Sequence, residues 1–367
     1  MKLVPSYCAL ALLALGCTPA QSQVGLTLEK KLPVTFAQVS NVVELRDGRV
    51  VFADTRAKHF LAADLQTGRV DTLGTRVDSL VRNAPAEQYR FPGWVAHLGG
   101  DTIALVDFGA IRTTLWSESG KSLGVLPIAQ VAGSTPVLVY DTVGHVYKVD
   151  YQAVIGGAEP GAIVRPDSIP VVRIALKTGQ VDTVANLASP EYGDAVFGEQ
   201  TQQAAKVFAP NDFFGVLPDG TAWLARGREN RIDWRTPAGE WTRGAPHKFT
   251  KMPVTQADRD RVLKQVREQG KQFGMPQELS ITYPFATTKA PFEFALARQN
   301  GEVWLQQPRA QEDAPLVYDV YTRKGGWQRA VAFPKGVSLA GFGPKGAVYG
   351  SIKDAAGQRT VGRFKLK

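Results

Sequence analysis

From residue 42 onward, apolar positions come in short runs rich in Val, Ile, Phe, Tyr and Trp, broken by turns that contain glycine. Runs of that length and composition, bounded by Gly, Asp and Asn, predict strands and tight hairpins, so the chain is expected to be all-β. Residues 42–45, 50–54, 60–64 and 70–73 read as four strands, with Asp47-Gly48 and Thr67-Gly68 turning the chain after the first and the third. The same order returns at 94–98, 101–106, 112–117 and 121–126, at 213–217, 221–225, 231–235 and 240–243, and at 294–297, 302–305, 316–321 and 327–331. A stretched copy uses 137–140, 146–149, 171–176 and 181–187. Asp-Gly and Asn-Gly supply the positive φ that tight hairpins need. The near-constant interval from Gly48 to Gly68, from Gly100 to Gly120 and from Gly220 to Gly239 is that of two strands and one loop.

Four-stranded units repeated in this way predict a β-propeller, because one small sheet cannot cover both of its faces until neighbours pack against it. A β-sandwich or two stacked β-domains would share the composition but not the repeated turns. Six blades are expected. The last, at 337–342, 347–352 and 360–366, lacks a fourth strand, and residues 26–32 are expected to supply it and so leave no open sheet edge. One helix is predicted in an insertion at about 254–273, with Thr255 as N-cap, Asp258 three residues on, and Val262, Leu263, Val266 and Phe273 along one side. Its charges, Arg259, Arg261, Lys264, Arg267 and Lys271 alternating with Asp258, Asp260 and Glu268, predict a solvated face. Patterns such as Val216-Leu217-Pro218-Asp219-Gly220 and Asp64-Leu65-Gln66-Thr67-Gly68 resemble the extracytoplasmic six-bladed propellers of the NHL-like and TolB-like group, over residues 24–367. That resemblance implies a fold and, for many bacterial members, a lipoprotein of the cell envelope; it implies no activity.

The N-terminus places the domain in a compartment. Lys2 precedes an apolar run over 8–15 that is too short to span a bilayer and suits the core of a signal peptide. Leu13-Ala14-Leu15-Gly16-Cys17 resembles a bacterial lipobox, which implies cleavage after residue 16 and lipid on Cys17; Thr18-Pro19-Ala20 offers an ordinary cleavage site instead. The expected organisation is a signal peptide over 1–16, a lipidated tether over 17–23 and a single propeller domain over 24–367. Thr18, in place of an acidic residue, favours the outer membrane, with a periplasmic or secreted protein as the alternative. Cys8 and Cys17 are the only cysteines, so the mature domain has no disulfide or thiolate metal site and must be held by burial, which 44% hydrophobic residues permit. A formal net charge of +9 on an exported protein points to anionic envelope polymers or lipid headgroups rather than nucleic acid, with the membrane itself reached through the lipid anchor only.

Loop lengths divide the expected propeller into two faces. The short hairpins fall on one; the long connections at 74–92, 150–170, 188–210 and 244–291 gather on the other, where a rigid scaffold usually carries binding. Arg56, Arg112, Arg226, Arg228, Arg231 and Arg309 lie in or beside loops on that face, and the planar donor fork of arginine suits carboxylate, phosphate or sulfate. Asn41, Asn211, Asp212 and Glu293 stand near the starts of inner strands, where propeller lactonases of this broad architecture hold calcium through such oxygen ligands. His59, His97, His145 and His247 are dispersed, and there is no Gly-x-Ser-x-Gly elbow, phosphate-binding loop or His-Glu-x-x-His helix. The tryptophans mostly occupy strand positions and are expected to pack between blades.

The expectation is therefore a noncatalytic envelope propeller that needs no cofactor and recognises a protein, a peptide or an anionic saccharide on its long-loop face. The alternative is a metal-dependent lactonase or related hydrolase, with calcium at the channel mouth. Replacing Cys17 by Ser is expected to abolish membrane fractionation and leave the domain folded. Fatty-acid labelling that survives the substitution would refute the anchor.

Overall fold

The computed structural model describes residues 23–79, 84–126, 139–150, 166–272, 276, 279–324 and 326–367. The lipobox with Cys17, residues 151–165 of one long connection, and Phe273 lie outside them.

The chain builds small antiparallel sheets whose strands follow one another in sequence. Sheet A contains Val43–Glu44, Val50–Asp54, His59–Ala63 and Val70–Thr72. Sheet B contains Pro92–Gly99, Thr102–Asp107, Arg112–Ser117 and Ser122–Val125. Sheet C contains Val139–Tyr140, His145–Val149, Ser168–Ala175 and Val181–Ala188. Sheet D contains Phe213–Val216, Ala222–Arg226, Arg231–Arg235 and Trp241–Thr242. Sheet E contains Phe294–Ala297, Val303–Gln306, Val317–Thr322 and Gly326–Ala332. Sheet F contains Val337–Phe342, Val348–Lys353 and Arg359–Leu366.

The turns form for a local reason. Gly48, Gly220 and Gly301 adopt φ of 86°, 81° and 90°, a region in which a side chain is strained. The residue before each glycine accepts a backbone N–H two positions on: Asp47 from Arg49 at 3.0 Å, Asp219 from Thr221 at 2.9 Å, and Asn300 from Glu302 at 3.0 Å. The side chain thus reproduces a backbone turn contact.

Packing then sets the architecture. The first strands of sheets A and B touch, as do those of B and C, C and D, D and E, and F and A. The buried clusters lie between neighbours. Val51 and Phe60 of A pack with Val95, Ile103 and Trp116 of B; Trp223 and Ile232 of D pack with Val303, Leu305 and Tyr321 of E. Phe52 and Leu61 of A meet Ala340, Tyr349 and Val361 of F. This radial succession is that of a β-propeller. Trp116, Trp223, Trp234 and Trp304 are buried in these interfaces, whereas Trp241 on the outer strand of sheet D is 43% exposed. The spacing is tight at the centre: a Cβ on Gly341 in sheet F would come within 2.0 Å of the Val42 carbonyl oxygen at the start of sheet A.

Gln23–Lys31 joins the two ends of the chain. It lies antiparallel to Arg359–Leu366, with Leu26 opposite Leu366 and Leu28 opposite Phe364, and Leu32 continues the ladder by donating to Val361. Residues 23–25 also pair in parallel with 330–332 of sheet E, so that E and F share one continuous array.

Two connections that read as loops carry structure of their own. Tyr192–Phe197 and Gln200–Ala205 form a hairpin, and Ile281–Thr282 from the next long connection pairs with its first strand. The signal was hidden because Gln200-Thr201-Gln202-Gln203 is polar and exposed and offers no alternation. The helix, α1, spans Gln256–Gln272. Deleting residues 25–33 is expected to lower the unfolding temperature and promote association, since it strips the hydrogen-bonding edge from Arg359–Leu366. Calorimetry and light scattering would check this; an unchanged, monomeric protein would refute it.

Candidate functional site

On the long-loop face, sheets A and B are each clasped to the incoming chain by a carboxylate. Asp54, which ends the second strand of sheet A, accepts N–H groups from Ala37, Gln38, Arg56 and Ala57 at 2.8 to 3.2 Å. Asp107, at the equivalent place in sheet B, accepts from Arg90, Phe91, Gly109 and Ala110 at 2.8 to 3.3 Å. Both are buried, and the backbone N–H groups satisfy their oxygens.

The residues expected to form a site divide by what they touch. Arg112 donates to the Ala84, Pro85 and Gln88 carbonyls at 2.8, 2.9 and 2.7 Å and pins that loop. Asp212 and Arg226 come together at 2.8 Å; Asp212 also accepts from Ala188 and Gly227, and Arg226 reaches Asp233 and the Asn186 carbonyl. Arg231 is buried against Asp233 at 2.9 Å. Asn41 ties sheets A and B, accepting from Val95 N–H at 2.9 Å and donating to the same residue's carbonyl. Arg309 donates to the Glu312 carbonyl, and Arg228 to that of Ser189 at 3.4 Å. Glu293 accepts from Gln306 at 3.4 Å, and Asn211 is exposed. Among the described residues no three His, Cys, Asp or Glu side chains gather as a metal cluster.

Arg56 differs. It lines a groove of about 680 Å3 at the seam between sheets F and A, together with Gln38, Ser338, Ser351, Lys353 and Arg359. The lining contains three cations and no carboxylate. Asp54 behind it already takes four N–H groups, and Asp354 beside it caps its own turn by accepting from Gln358 at 2.9 Å. The guanidinium of Arg359 has no hydrogen-bond or ion-pair partner among the described residues, and burial lowers its pKa below the usual arginine value with no acid to offset the effect. Sequence reasoning missed Arg359 and Lys353 because they flank a turn in the last sheet, and only packing of the chain's two ends brings them to Arg56.

A second cavity, of about 360 Å3, lies inside the ring of first strands and extends to the short hairpins, at Arg46, Thr142, Pro218, Gln299 and Pro344. Its rim is tied across sheets A and B by Glu118, which accepts from Arg46 Nε at 3.1 Å and contacts His97 Nε2 at 2.9 Å. Burial pushes the Glu118 carboxyl up, but the bonds from His97 and Arg46 outweigh it and hold the group below its usual range. The Gly99 N–H donates to His97 Nδ1 at 3.0 Å, so the ring proton sits on Nε2 and goes to Glu118.

The insertion is fastened by an ionic latch. Thr255 and Asp258 cap α1 reciprocally, the Thr255 hydroxyl donating to Asp258 at 2.8 Å and the Asp258 N–H to that hydroxyl at 3.2 Å. Asp258 was expected on the solvated face but is 2% exposed, because the same carboxylate takes Lys289 Nζ at 2.9 Å and Arg261 at 2.8 Å. Lys289 also donates to the Arg309 carbonyl at 2.7 Å, joining the helix to sheet E's approach.

No protein-family model matches the chain, and no curated protein matches it. Among solved structures it is similar to a candidate exported protein from Bacteroides fragilis, at 10% identity, covering 95% of this chain and 98% of that one with a TM-score of 0.50. It is also similar to a DUF4221-family member from Bacteroides vulgatus at 10% identity, 95% and 99% coverage and TM-score 0.49. A gluconolactonase from Xanthomonas campestris aligns at 11% identity, 94% and 95% coverage and TM-score 0.45. Likeness at such identity concerns the fold alone.

The latch gives a pH signature. Burial raises the Asp258 pKa, but bonds from Lys289, Thr255 and Arg261 outweigh it, so the folded value lies well below the ordinary 3.8. The stabilisation is therefore complete above that value and is lost as pH falls through the folded one. Asp258→Asn is expected to be roughly 3 kcal/mol less stable than the parent at pH 7, with the gap narrowing under acid. Denaturant titrations between pH 2 and 7 would measure it; a gap independent of pH would refute the assignment.

Proposed function

We propose that the chain is a six-bladed propeller of the cell envelope, with four strands per blade and a lipid anchor on Cys17, that binds an anionic saccharide or an acidic peptide on its long-loop face. The seam groove carries this reading: Arg56, Lys353 and Arg359 line it without a carboxylate, and the half-buried Arg359 has no counter-ion among the described residues. A ligand carboxylate or sulfate would supply the missing charge, through bonds that are stronger than those between neutral groups. Gln38, Gln358, Ser338 and Ser351 add neutral donors and acceptors of the kind that fix a hydroxylated ligand. Binding is favoured over calcium-dependent hydrolysis because Asn41 and Asp212, two of the oxygen ligands such a centre would use, are held by Val95 and by Arg226.

Titration calorimetry with an oligogalacturonate and with an acidic peptide tests the reading. One of the two is expected to bind with an affinity that falls as salt rises, and Arg359→Gln and Arg56→Gln are each expected to weaken it about tenfold while leaving the unfolding temperature unchanged. Binding to neither ligand, or equal binding by the variants, would overturn it.

A further inference from the structure

The turns that follow the second strands of sheets A, B and D each hold one residue at positive φ: Lys58 at 62°, Ile111 at 49° and Asn230 at 49°. Asparagine tolerates that region, whereas a β-branched side chain is crowded in it and rarely adopts it. Ile111 therefore carries a strained backbone, and at 49% exposure it recovers little of that cost by burial. Phe108, the first residue of the same turn, is 51% exposed. The equivalent positions hold Thr55 and Lys58 in sheet A and Gly227 and Asn230 in sheet D, so only sheet B of the three turns two large apolar side chains to solvent there. The Phe108 ring is also held in place, since it lies against Gly93, where a Cβ would come within 2.0 Å of it.

A strip of cations joins this apolar tip to the seam groove. Lys58 Nζ stands 4.1 Å from the centre of the Phe91 ring, and the Arg90 guanidinium stands 5.0 Å from the same ring. Phe91 accepts the Phe108 N–H at 3.0 Å, so the strip and the tip adjoin. On its other side Lys58 shares a turn with Arg56, which lines the groove. Arg56, Lys58 and Arg90 form no ion pair among the described residues. The carboxylates at the heads of the two turns, Asp54 and Asp107, are buried and taken by backbone N–H groups. From sheet F to sheet B the long-loop face thus presents unpaired cations and then an exposed apolar pair.

We propose that the ligand of this face is an acidic peptide, its carboxylates over Arg359, Arg56 and Lys58 and a large apolar side chain, a few residues along, on Ile111 and Phe108. The inference rests on the seam-groove reading and narrows it. An oligogalacturonate has no aliphatic side chain to cover Ile111, and a bilayer surface takes up a loop tip without entering a groove between two sheets.

The test uses the peptide Glu-Glu-Glu-Gly-Ser-Gly-Leu-Phe and its analogue ending in Ser-Ser, titrated calorimetrically into the full mature chain. The Leu-Phe peptide is expected to bind about tenfold more tightly. Ile111→Asn installs the residue that sheet D uses at this position. It is expected to raise the unfolding temperature by relieving the backbone, to weaken the Leu-Phe peptide about tenfold and to leave the Ser-Ser analogue unchanged. A purely structural role for Ile111 would instead lower the unfolding temperature and spare binding. Arg56→Gln should weaken both peptides, which separates the groove from the tip. Equal affinity for the two peptides, or Leu-Phe binding untouched by Ile111→Asn, would overturn this inference and leave the seam groove standing. Binding of neither peptide would overturn it together with the acidic-peptide reading of the groove, which oligogalacturonate then tests alone. Retention on phosphatidylglycerol vesicles that Ile111→Asn abolishes would assign the tip to a membrane and overturn it as well.

Discussion

A sheet of three or four short strands has two faces and too little else to cover them. In this protein the cover comes from the next sheet, and every other feature depends on that contact. Trp116 packs on Phe60 across the A–B interface, and Trp304 lies within 5.0 Å of Phe342 across E and F. Burying side chains of this size stabilises by roughly 1.5–3 kcal/mol each. The contact that brings F back against A also determines the position of the chain's ends, since residues 23–31 must reach the edge of Arg359–Leu366. It creates the seam groove at the same time.

Charge is arranged around this packing in two ways. Most of these charges hold the chain to itself: Asp54 and Asp107 collect backbone N–H groups where strands meet connections, Arg112 and Arg226 tie loops to strands, and Arg231 is paired with Asp233 of its own strand. These groups have their partners, and their conservative replacement should be felt in stability. Arg359 is different: it is half-buried, and among the described residues no acid or carbonyl pairs with it. A cation in a lining that holds other cations and no carboxylate favours an anion at that point.

Much of the strand order was legible in the residues. Asp-Gly and Asn-Gly turns act locally, so Asp47-Gly48, Asp219-Gly220 and Asn300-Gly301 announce hairpins wherever they stand. The N-cap of α1 was legible for the same reason, as was the pairing of residues 26–32 with the last strand, since an incomplete unit needs an edge partner. Less visible was the hairpin over 192–205, where the strands are polar and gain their place from a partner more than eighty residues away.

The site residues divide along the same line. From the sequence, Arg56, Arg112, Arg226, Arg231 and Arg309 are equivalent: cationic, in loops, on one expected face. Whether an arginine anchors a loop, as Arg112 does, or stands without a counter-charge among the described residues, as Arg359 does, depends on distant carbonyls and carboxylates that packing brings close or keeps away. Local steric preference and hydrophobic alternation are written in neighbouring residues and so determine strands, turns and the need for repeated sheets. The balance of charge at a point in space is a sum over residues far apart in the chain, and only the tertiary structure decides it.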